Sequence, residues 1–360
     1  MAGGDLGRET VVVAMSGGVD SSTAAVLLHE QGYEVEGLMM RLWAEEGGSS
    51  NRCCSPEAIE GARQVCQMLG VPFQVLDFEA EFKRHVVDYF IAEYGRGRTP
   101  NPCLACNRHI KFDLLLRKAL AWGANYLATG HYARVRRVNG EYQLLKGVDA
   151  SKDQSYVLYM LGQDELAHLL LPLGGYTKDE VRAMAQAREL PVAEREESQE
   201  ICFTMGDYRP FLRRQQGLVF QPGPIMDVEG KVIGQHKGLP AYTIGQREGL
   251  GIAAPQPLYV LEIDTNRNGL VVGPRRYLAR QELTAKEVNF VSGKPPLEPV
   301  EITAKIRYRA PEVEATLTYG GRDEVGVRFA KPQPAITPGQ GVVFYQGEVV
   351  IGGGIIEEVR

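Results

Sequence analysis

Residues 10–22, Thr-Val-Val-Val-Ala-Met-Ser-Gly-Gly-Val-Asp-Ser-Ser, restrict the fold of this chain more than any other stretch. The β-branched run from Val11 to Val13 reads as a buried strand that stops at Ser16-Gly17-Gly18. A helical pattern opens at Asp20-Ser21-Ser22 and runs through Ala24, Ala25, Leu27 and Leu28 to Gly32, a C-cap residue. Such a turn sits at a strand's carboxyl end and a helix's amino end, where backbone N–H groups and the helix dipole favour a polyanion. Gly17 and Gly18 let the main chain approach oxygens closely, and Ser16, Ser21 and Ser22 add hydroxyl donors. Asp20 would repel a phosphate unless a divalent cation lay between them, which implies magnesium.

The first 200 residues alternate strand and helix signals. Val35–Trp43 reads as a strand, Glu45–Arg52 as a polar loop, and Ser55-Pro56 as the cap of a helix ending at Gly70. Val71–Phe78 (strand), Glu79–Tyr94 (helix), Asn107–Trp122 (helix) and Tyr126–Thr129 (strand) follow, with a capping box at Thr177-Lys-Asp-Glu180 for a helix through Arg188. This alternation predicts a doubly wound parallel α/β sheet with ligands at the strands' carboxyl ends. After about residue 217, glycine and proline punctuate short β-rich runs: Tyr259–Ile263, Leu270–Val272, Val288–Val291, Ile302–Arg309, Ala315–Tyr319, Val325–Phe329, Gly341–Tyr345 and Val349–Ile351.

At 360 residues, 44% apolar and 24% charged, the composition is that of a globular protein with room for two or three domains. No apolar run approaches the roughly 20 residues of a membrane-spanning helix. Met1-Ala2-Gly3-Gly4-Asp5 lacks the pattern of a signal peptide, so a cytoplasmic location is expected. Six cysteines in such a chain favour thiol chemistry or metal over disulfide staples. Net charge is −5, but 83–118 carries a surplus of cations (Lys83, Arg84, Arg96, Arg98, Arg108, Lys111, Arg117, Lys118). That surplus reads either as a solvated face or as a phosphate-backbone footprint.

No Gly-Lys-Ser/Thr occurs, so the loop is not a Walker motif. Ser-Gly-Gly-Val-Asp-Ser instead resembles the PP-loop of the ATP pyrophosphatase superfamily, which implies ATP cleaved between its α and β phosphorus atoms and adenylation of a substrate oxygen. The second informative stretch is Thr99-Pro-Asn-Pro-Cys-Leu-Ala-Cys-Asn-Arg-His-Ile-Lys-Phe112. Two prolines stiffen it, and Cys106 is expected just before a helix starting near Asn107. A thiol at a helix amino end beside Arg108 and His109 would ionise easily. Cys202 lies in Glu197-Ser-Gln-Glu-Ile-Cys-Phe203, between two inferred domains.

Taken in order, the PP-loop, Asn-Pro-x-x-x-Cys-Asn, Ala-Thr-Gly-His-Tyr-Ala-Arg (128–134), Lys-Asp-Gln-Ser-Tyr (152–156), Ser-Gln-Glu-Ile-Cys-Phe (198–203) and Gly-Leu-Pro-Ala-Tyr-Thr-Ile-Gly-Gln-Arg-x-Gly-Leu (238–250) resemble the tRNA-specific 2-thiouridylase family from about residue 10 onward. The resemblance implies three domains: a PP-loop catalytic domain at 1–206, a small central β-rich domain at 207–280 and a C-terminal β-barrel at 281–360 that contacts tRNA. It implies ATP and Mg2+ as cofactors, held by Ala14, Met15, Ser16, Gly17, Gly18, Val19, Asp20 and Ser21 with Met40 and Gly130. ATP would adenylate the C2 oxygen of the wobble uridine. Cys202 would carry a persulfide from a cysteine desulfurase or sulfur-relay protein. Its outer sulfur would attack C2 or be released as hydrosulfide, and Cys106 would close a disulfide on Cys202. Asn101, Pro102 and Cys103 match positions at the target base. His131, Lys152, Asp153, Gln154, Arg307, Tyr308 and Gln340 match tRNA-contacting positions, and tRNAs for Lys, Glu and Gln are the implied substrates.

One departure leaves alternatives open. Cys103 stands where familiar members carry Asp. It is an inert small replacement, a resolving thiol for Cys106, or a ligand with Cys106 and Cys202 of a [4Fe–4S] cluster with one open iron. Structural zinc lacks a fourth ligand. Cys66 falls at helical spacing with core residues, and Cys53-Cys54 in the polar loop receive no role. The same loop would also serve another adenylating ligase, which needs no paired thiols, or an ATP-sensing tRNA-binding protein.

Overall fold

A computed structural model describes residues 8–45, 51–195, 201–204, 206–321 and 323–360. Met1–Asp5, most of the Glu45–Arg52 loop and the start of the 198–203 motif lie outside the described residues. The amino-terminal layer is an all-parallel sheet ordered β3-β2-β1-β4-β7, from β1 (Thr10–Met15), β2 (Glu34–Arg41), β3 (Phe73–Asp77), β4 (Tyr126–Ala128) and β7 (Leu169–Leu170). Val11 pairs with Val35 on one side and Tyr126 on the other, so the strand order reverses beside β1. A crevice at that reversal is where open α/β sheets bind ligands.

Helix α1 (Val19–Glu30) returns across the sheet, and α2 (Pro56–Leu69) starts at the predicted Ser55 cap and ends at Gly70 in the left-handed conformation. Two longer helical runs follow, α3 (79–95) and α4 (102–121), each with a wide middle turn. Helix α5 (Lys178–Ala187) has its capping box in place, with the Glu180 carboxylate accepting from the Thr177 N–H at 2.7 Å. Cys66 is core, as its spacing predicts.

Beyond residue 217 two further sheets appear. A four-stranded sheet joins β8 (Gly223–Met226), β9 (Val232–His236), β10 (Tyr259–Asp264) and β11 (Gly269–Gly273) around Ile225, Val260, Leu270 and Val272. Six antiparallel strands, β12 (Ala279–Phe290), β13 (Val300–Lys305), β14 (Val313–Gly321), β15 (Glu324–Pro334), β16 (Gly341–Gln346) and β17 (Val349–Val359), close into a barrel because β12 pairs with both β15 and β17. Closure removes the exposed edges of an open sheet. Val288–Val291 is therefore only the end of a longer strand, and the strand predicted over 302–309 stops at Lys305.

A hairpin that the sequence reading passed over, β5 (Ala133–Val138) and β6 (Glu141–Lys146), leaves the first layer and pairs with the barrel through Leu145 and Val349. The barrel also docks on the 98–101 segment. Arg98 donates to Glu93, to Glu357 and to the Ile356 carbonyl, while the Gln340 side chain donates to the Thr99 carbonyl at 2.8 Å.

Candidate active site

The turn after β1 is rigid before any ligand arrives. Ser21 Oγ accepts from the Ser16 N–H at 3.1 Å and donates to the Gly18 carbonyl at 3.3 Å. Gly17 has φ +68°, and a Cβ there would lie 2.1 Å from the Ala58 carbonyl oxygen. The start of α2 thus presses on the loop, and Arg195 Nη1 donates to the Gly17 carbonyl at 2.8 Å. Gly18 caps α1 without a side-chain hydrogen bond, which leaves the helix's first N–H groups for an incoming oxyanion. Gly130, after β4, abuts the same turn: a Cβ there would sit 2.8 Å from the Asp20 backbone. Met40 lies buried near the carboxyl end of β2.

Asp20 has partners that the sequence reading missed. The Tyr132 hydroxyl and the Lys178 ammonium both donate to Asp20 Oδ1 at 2.7 Å. A cation of the protein therefore already offsets that carboxylate, so the inference that only a metal could do so is corrected. Lys178 was legible as the first residue after the Thr177 cap, but nothing in its spacing pointed across the fold to residue 20. Magnesium still fits, because it typically takes one or two carboxylates and otherwise phosphate and water oxygens. Asp20 is the carboxylate that would hold it.

His131, the residue after Gly130, shares a neighbouring cation with the thiols. His131 is buried, its Nδ1 lies 2.7 Å from Thr129 Oγ1, and burial with nearby Lys111 holds its ring neutral, far below the usual histidine range. Lys111 is also the cation closest in effect to Cys53, Cys103 and Cys106. The 99–112 segment differs from expectation. Asn101 Oδ1 accepts from the Cys103 N–H at 3.0 Å and Pro102 takes the first helical position, so α4 begins at Pro102, not near Asn107. A proline without an N–H suits that position, and here it starts the helix as well as stiffening the loop. Cys106 therefore lies a turn inside α4. Burial pushes its thiol up to about 12 despite Lys111, the reverse of the easy ionisation expected. Cys103 sits at the helix's amino end, reachable by solvent at the mouth of a crowded recess; burial raises its thiol as well.

Cys202 packs into the same recess near Cys103 and Cys106, and all six cysteines are free thiols. Asn51 Nδ2 donates to its sulfur at 3.8 Å, and the Cys53 thiol interacts with it. That interaction and Lys111 lower Cys53 to about 7, while the same contact and burial raise Cys202 well above the usual thiol value. Sequence spacing could not show it, because Cys53 and Cys202 meet only through the fold. Among the described residues no three His, Cys, Asp or Glu side chains converge to hold a metal, so Cys103, Cys106 and Cys202 do not fit a cluster in this arrangement.

The remaining expected contacts separate into two groups. Asp153 is buried, its Oδ1 accepting from the Gly147 and Ser155 N–H groups and its Oδ2 from the Ser155 hydroxyl. Gln154 Oε1 accepts from the Tyr132 N–H at 2.9 Å. Both hold the 131–154 segment in place beside half-buried Lys152. Arg307 donates to the Ala335 carbonyl and to Thr337 Oγ1, and the Tyr308 ring lies 6.1 Å from that of Tyr156. With Gln340 they stand where the barrel meets the loop before Cys103. The central motif 238–250 meets that loop too, Thr99 Oγ1 donating to Thr243 Oγ1 at 3.2 Å. Much of the cation surplus at 83–118 is paired, as in Lys83–Asp88, Arg108–Glu287 and Arg117–Asp113.

Residues 9–206 match the tRNA methyl transferase HUP domain, 210–274 the tRNA methyl transferase PRC-barrel domain, and 280–356 the aminomethyltransferase beta-barrel domain. The tRNA-specific 2-thiouridylase MnmA of Roseiflexus sp. (strain RS-1) is 52% identical, covering 96% of this chain and 98% of its own. That of Moorella thermoacetica is 52% identical, covering 97% and 99%. One from Carboxydothermus hydrogenoformans is 51% identical, covering 98% and 99%.

Proposed function

We propose a residue-level mechanism from one premise: this chain belongs to the tRNA-specific 2-thiouridylase family, whose members are PP-loop enzymes that thiolate uridine in tRNA. It is a sulfurtransferase that uses ATP and acts on tRNA to form 2-thiouridine. The observation that carries the residue assignment is the adjacency of the two half-sites: Gly130 abuts the phosphate loop, and His131 faces the cation of the thiol recess.

In this reading the N–H groups at the start of α1 and the Ser16 hydroxyl receive the β,γ-diphosphate of ATP. Lys178 and Tyr132 fix Asp20 at the loop. Magnesium, held by Asp20 when bound, would neutralise phosphate charge. The C2 oxygen of the wobble uridine attacks the α-phosphorus, so a poor leaving oxygen departs later as AMP. The base must leave its stack to reach the recess between α4 and the 201–204 segment. Neutral His131 suits hydrogen bonding there better than proton transfer. Cys202 carries the persulfide; its outer sulfur attacks C2 directly or as hydrosulfide, and Cys106 closes on Cys202. Cys103 lines the mouth beside Asn101 and Pro102.

Isoacceptors for Lys, Glu and Gln are the proposed substrates, a cysteine desulfurase or relay protein the sulfur source, and the cytoplasm the location. No helix among the described residues is long and apolar enough to cross a membrane. The test is purified protein with unmodified tRNA transcript, ATP and polysulfide. The reading expects 2-thiouridine with matching AMP and diphosphate; ADP and phosphate, or turnover independent of tRNA, would contradict it.

A further inference from the structure

The carboxylate of Asp20 is held by one oxygen only. The Tyr132 hydroxyl and the Lys178 ammonium both donate to Oδ1 at 2.7 Å, and among the described residues Oδ2 has no hydrogen-bond partner. Both donors are buried, Tyr132 being 3% and Lys178 5% exposed. Tyr132 is in turn gripped on two sides by a single residue. Its N–H donates to Gln154 Oε1 at 2.9 Å, and its carbonyl accepts from the Gln154 N–H at 2.8 Å. Gly147 backs the same peptide: a Cβ there would lie 2.8 Å from the Tyr132 carbonyl oxygen. The stretch that carries Gln154 is anchored in the barrel, with Ser155 Oγ 3.4 Å from the Tyr345 hydroxyl and the Tyr156 hydroxyl donating to the Gly341 carbonyl at 2.9 Å.

We propose that Tyr132 is a positioning residue for adenylation and that Gln154 sets it, so that the 152–156 segment, expected to meet tRNA, also aims the carboxylate expected to hold the metal. This rests on the reading that Asp20 holds magnesium. Lys178 supplies charge and Tyr132 supplies direction. An ammonium on a flexible stem donates over many angles, whereas a phenol on a packed ring presents its O–H from one place. Without that hydroxyl the carboxylate is free to turn and offer both oxygens to Lys178, which takes Oδ2 away from its present position. Magnesium demands near-ideal octahedral geometry, so a turned carboxylate holds it poorly. Gln154 acts through Tyr132 alone: its side-chain oxygen is engaged by the Tyr132 N–H, and loss of that bond leaves only the one between backbone groups to fix the ring.

The experiment titrates the full chain with Mg2+ in the presence of α,β-methylene ATP, a non-cleavable analogue, and follows nucleotide binding without tRNA. Diphosphate release with unmodified tRNA transcript then gives KM and kcat. Tyr132→Phe should raise the Mg2+ half-saturation about tenfold, since it removes a hydrogen bond to a charged group, and should leave the KM for tRNA where it was. Gln154→Leu should raise the half-saturation about threefold, because the backbone bond remains. Gln154→Glu keeps an acceptor for the Tyr132 N–H and should recover most of that shift. Should Tyr132→Phe melt below the assay temperature, the two Gln154 variants decide alone. A Tyr132→Phe chain that binds at the wild-type Mg2+ concentration, or a Gln154→Leu chain altered only in its KM for tRNA, overturns the proposal while leaving the metal reading intact. If Asp20→Asn leaves the Mg2+ half-saturation unchanged, the metal reading fails and the proposal fails with it.

Discussion

The phosphate loop and the thiol recess lie at the ends of neighbouring strands, yet they are prepared in different ways. The loop is held by main-chain geometry: a left-handed Gly17 against Ala58, an Arg195 clamp on its carbonyl, and open N–H groups at the start of α1. None of those features needs to ionise. The recess depends on charge, and its charges are unevenly placed: Cys53 is lowered, Cys106, Cys103 and Cys202 are raised, and His131 is kept neutral. The contrast teaches that ATP can be received by the structure as it stands, whereas sulfur moves only when the right thiol is deprotonated.

The sharpest way to break the comparison is at the thiols. Cys202→Ser and Cys106→Ser should each abolish 2-thiouridine formation; full activity in either variant would end the assignment. Gly17→Ala should fail for a different reason, since its Cβ has no room and its φ is unfavourable. A loss of roughly 2–4 kcal/mol in stability is expected with loss of tRNA-dependent diphosphate release, read by thermal melting and a phosphate assay. Lys178→Met leaves Asp20 without its cation near incoming phosphate. About a hundredfold lower diphosphate release is expected, close to 3 kcal/mol of barrier, with sulfur loading of Cys202 kept.

The charge contrast can be sharpened by pH. The thiolate is the reactive form, and Cys53 is lowered to about 7 while Cys106 is raised to about 12. Iodoacetamide labelling of Cys53 should therefore rise with pH to half its plateau near 7, with Cys106 labelling much more slowly at neutral pH. Equal rates at both would remove the distinction. The smallest effect is at the barrel contact: Gln340→Ala loses one hydrogen bond to Thr99 and should lower stability by about 1 kcal/mol.

The phosphate loop was legible because its signal is local. A β-branched run, two glycines and a helical pattern within 10–22 specify strand, turn and helix without help from distant residues, and the Ser55 and Thr177 caps are equally local. What escaped the sequence was set by distant contacts or by local signals given the wrong weight. Asn139-Gly140 is a hairpin signal between alternating residues, and both residues have positive φ, yet it was passed over. Pro102 stiffens the loop but also fits a first helical position, and starting α4 there places Cys106 a turn inside the helix rather than just before it. The Lys178–Asp20 and Cys53–Cys202 contacts join residues far apart in the chain, so no spacing rule could have found them.

The central claim is that ATP activates the very oxygen that sulfur replaces. A tRNA transcript carrying 18O at C2 of its wobble uridine tests it directly, with mass spectrometry of the nucleotide product. The account expects the label in the phosphate of AMP, one atom for each 2-thiouridine formed. Label retained in the tRNA, or released to water while AMP stays unlabelled, would contradict it.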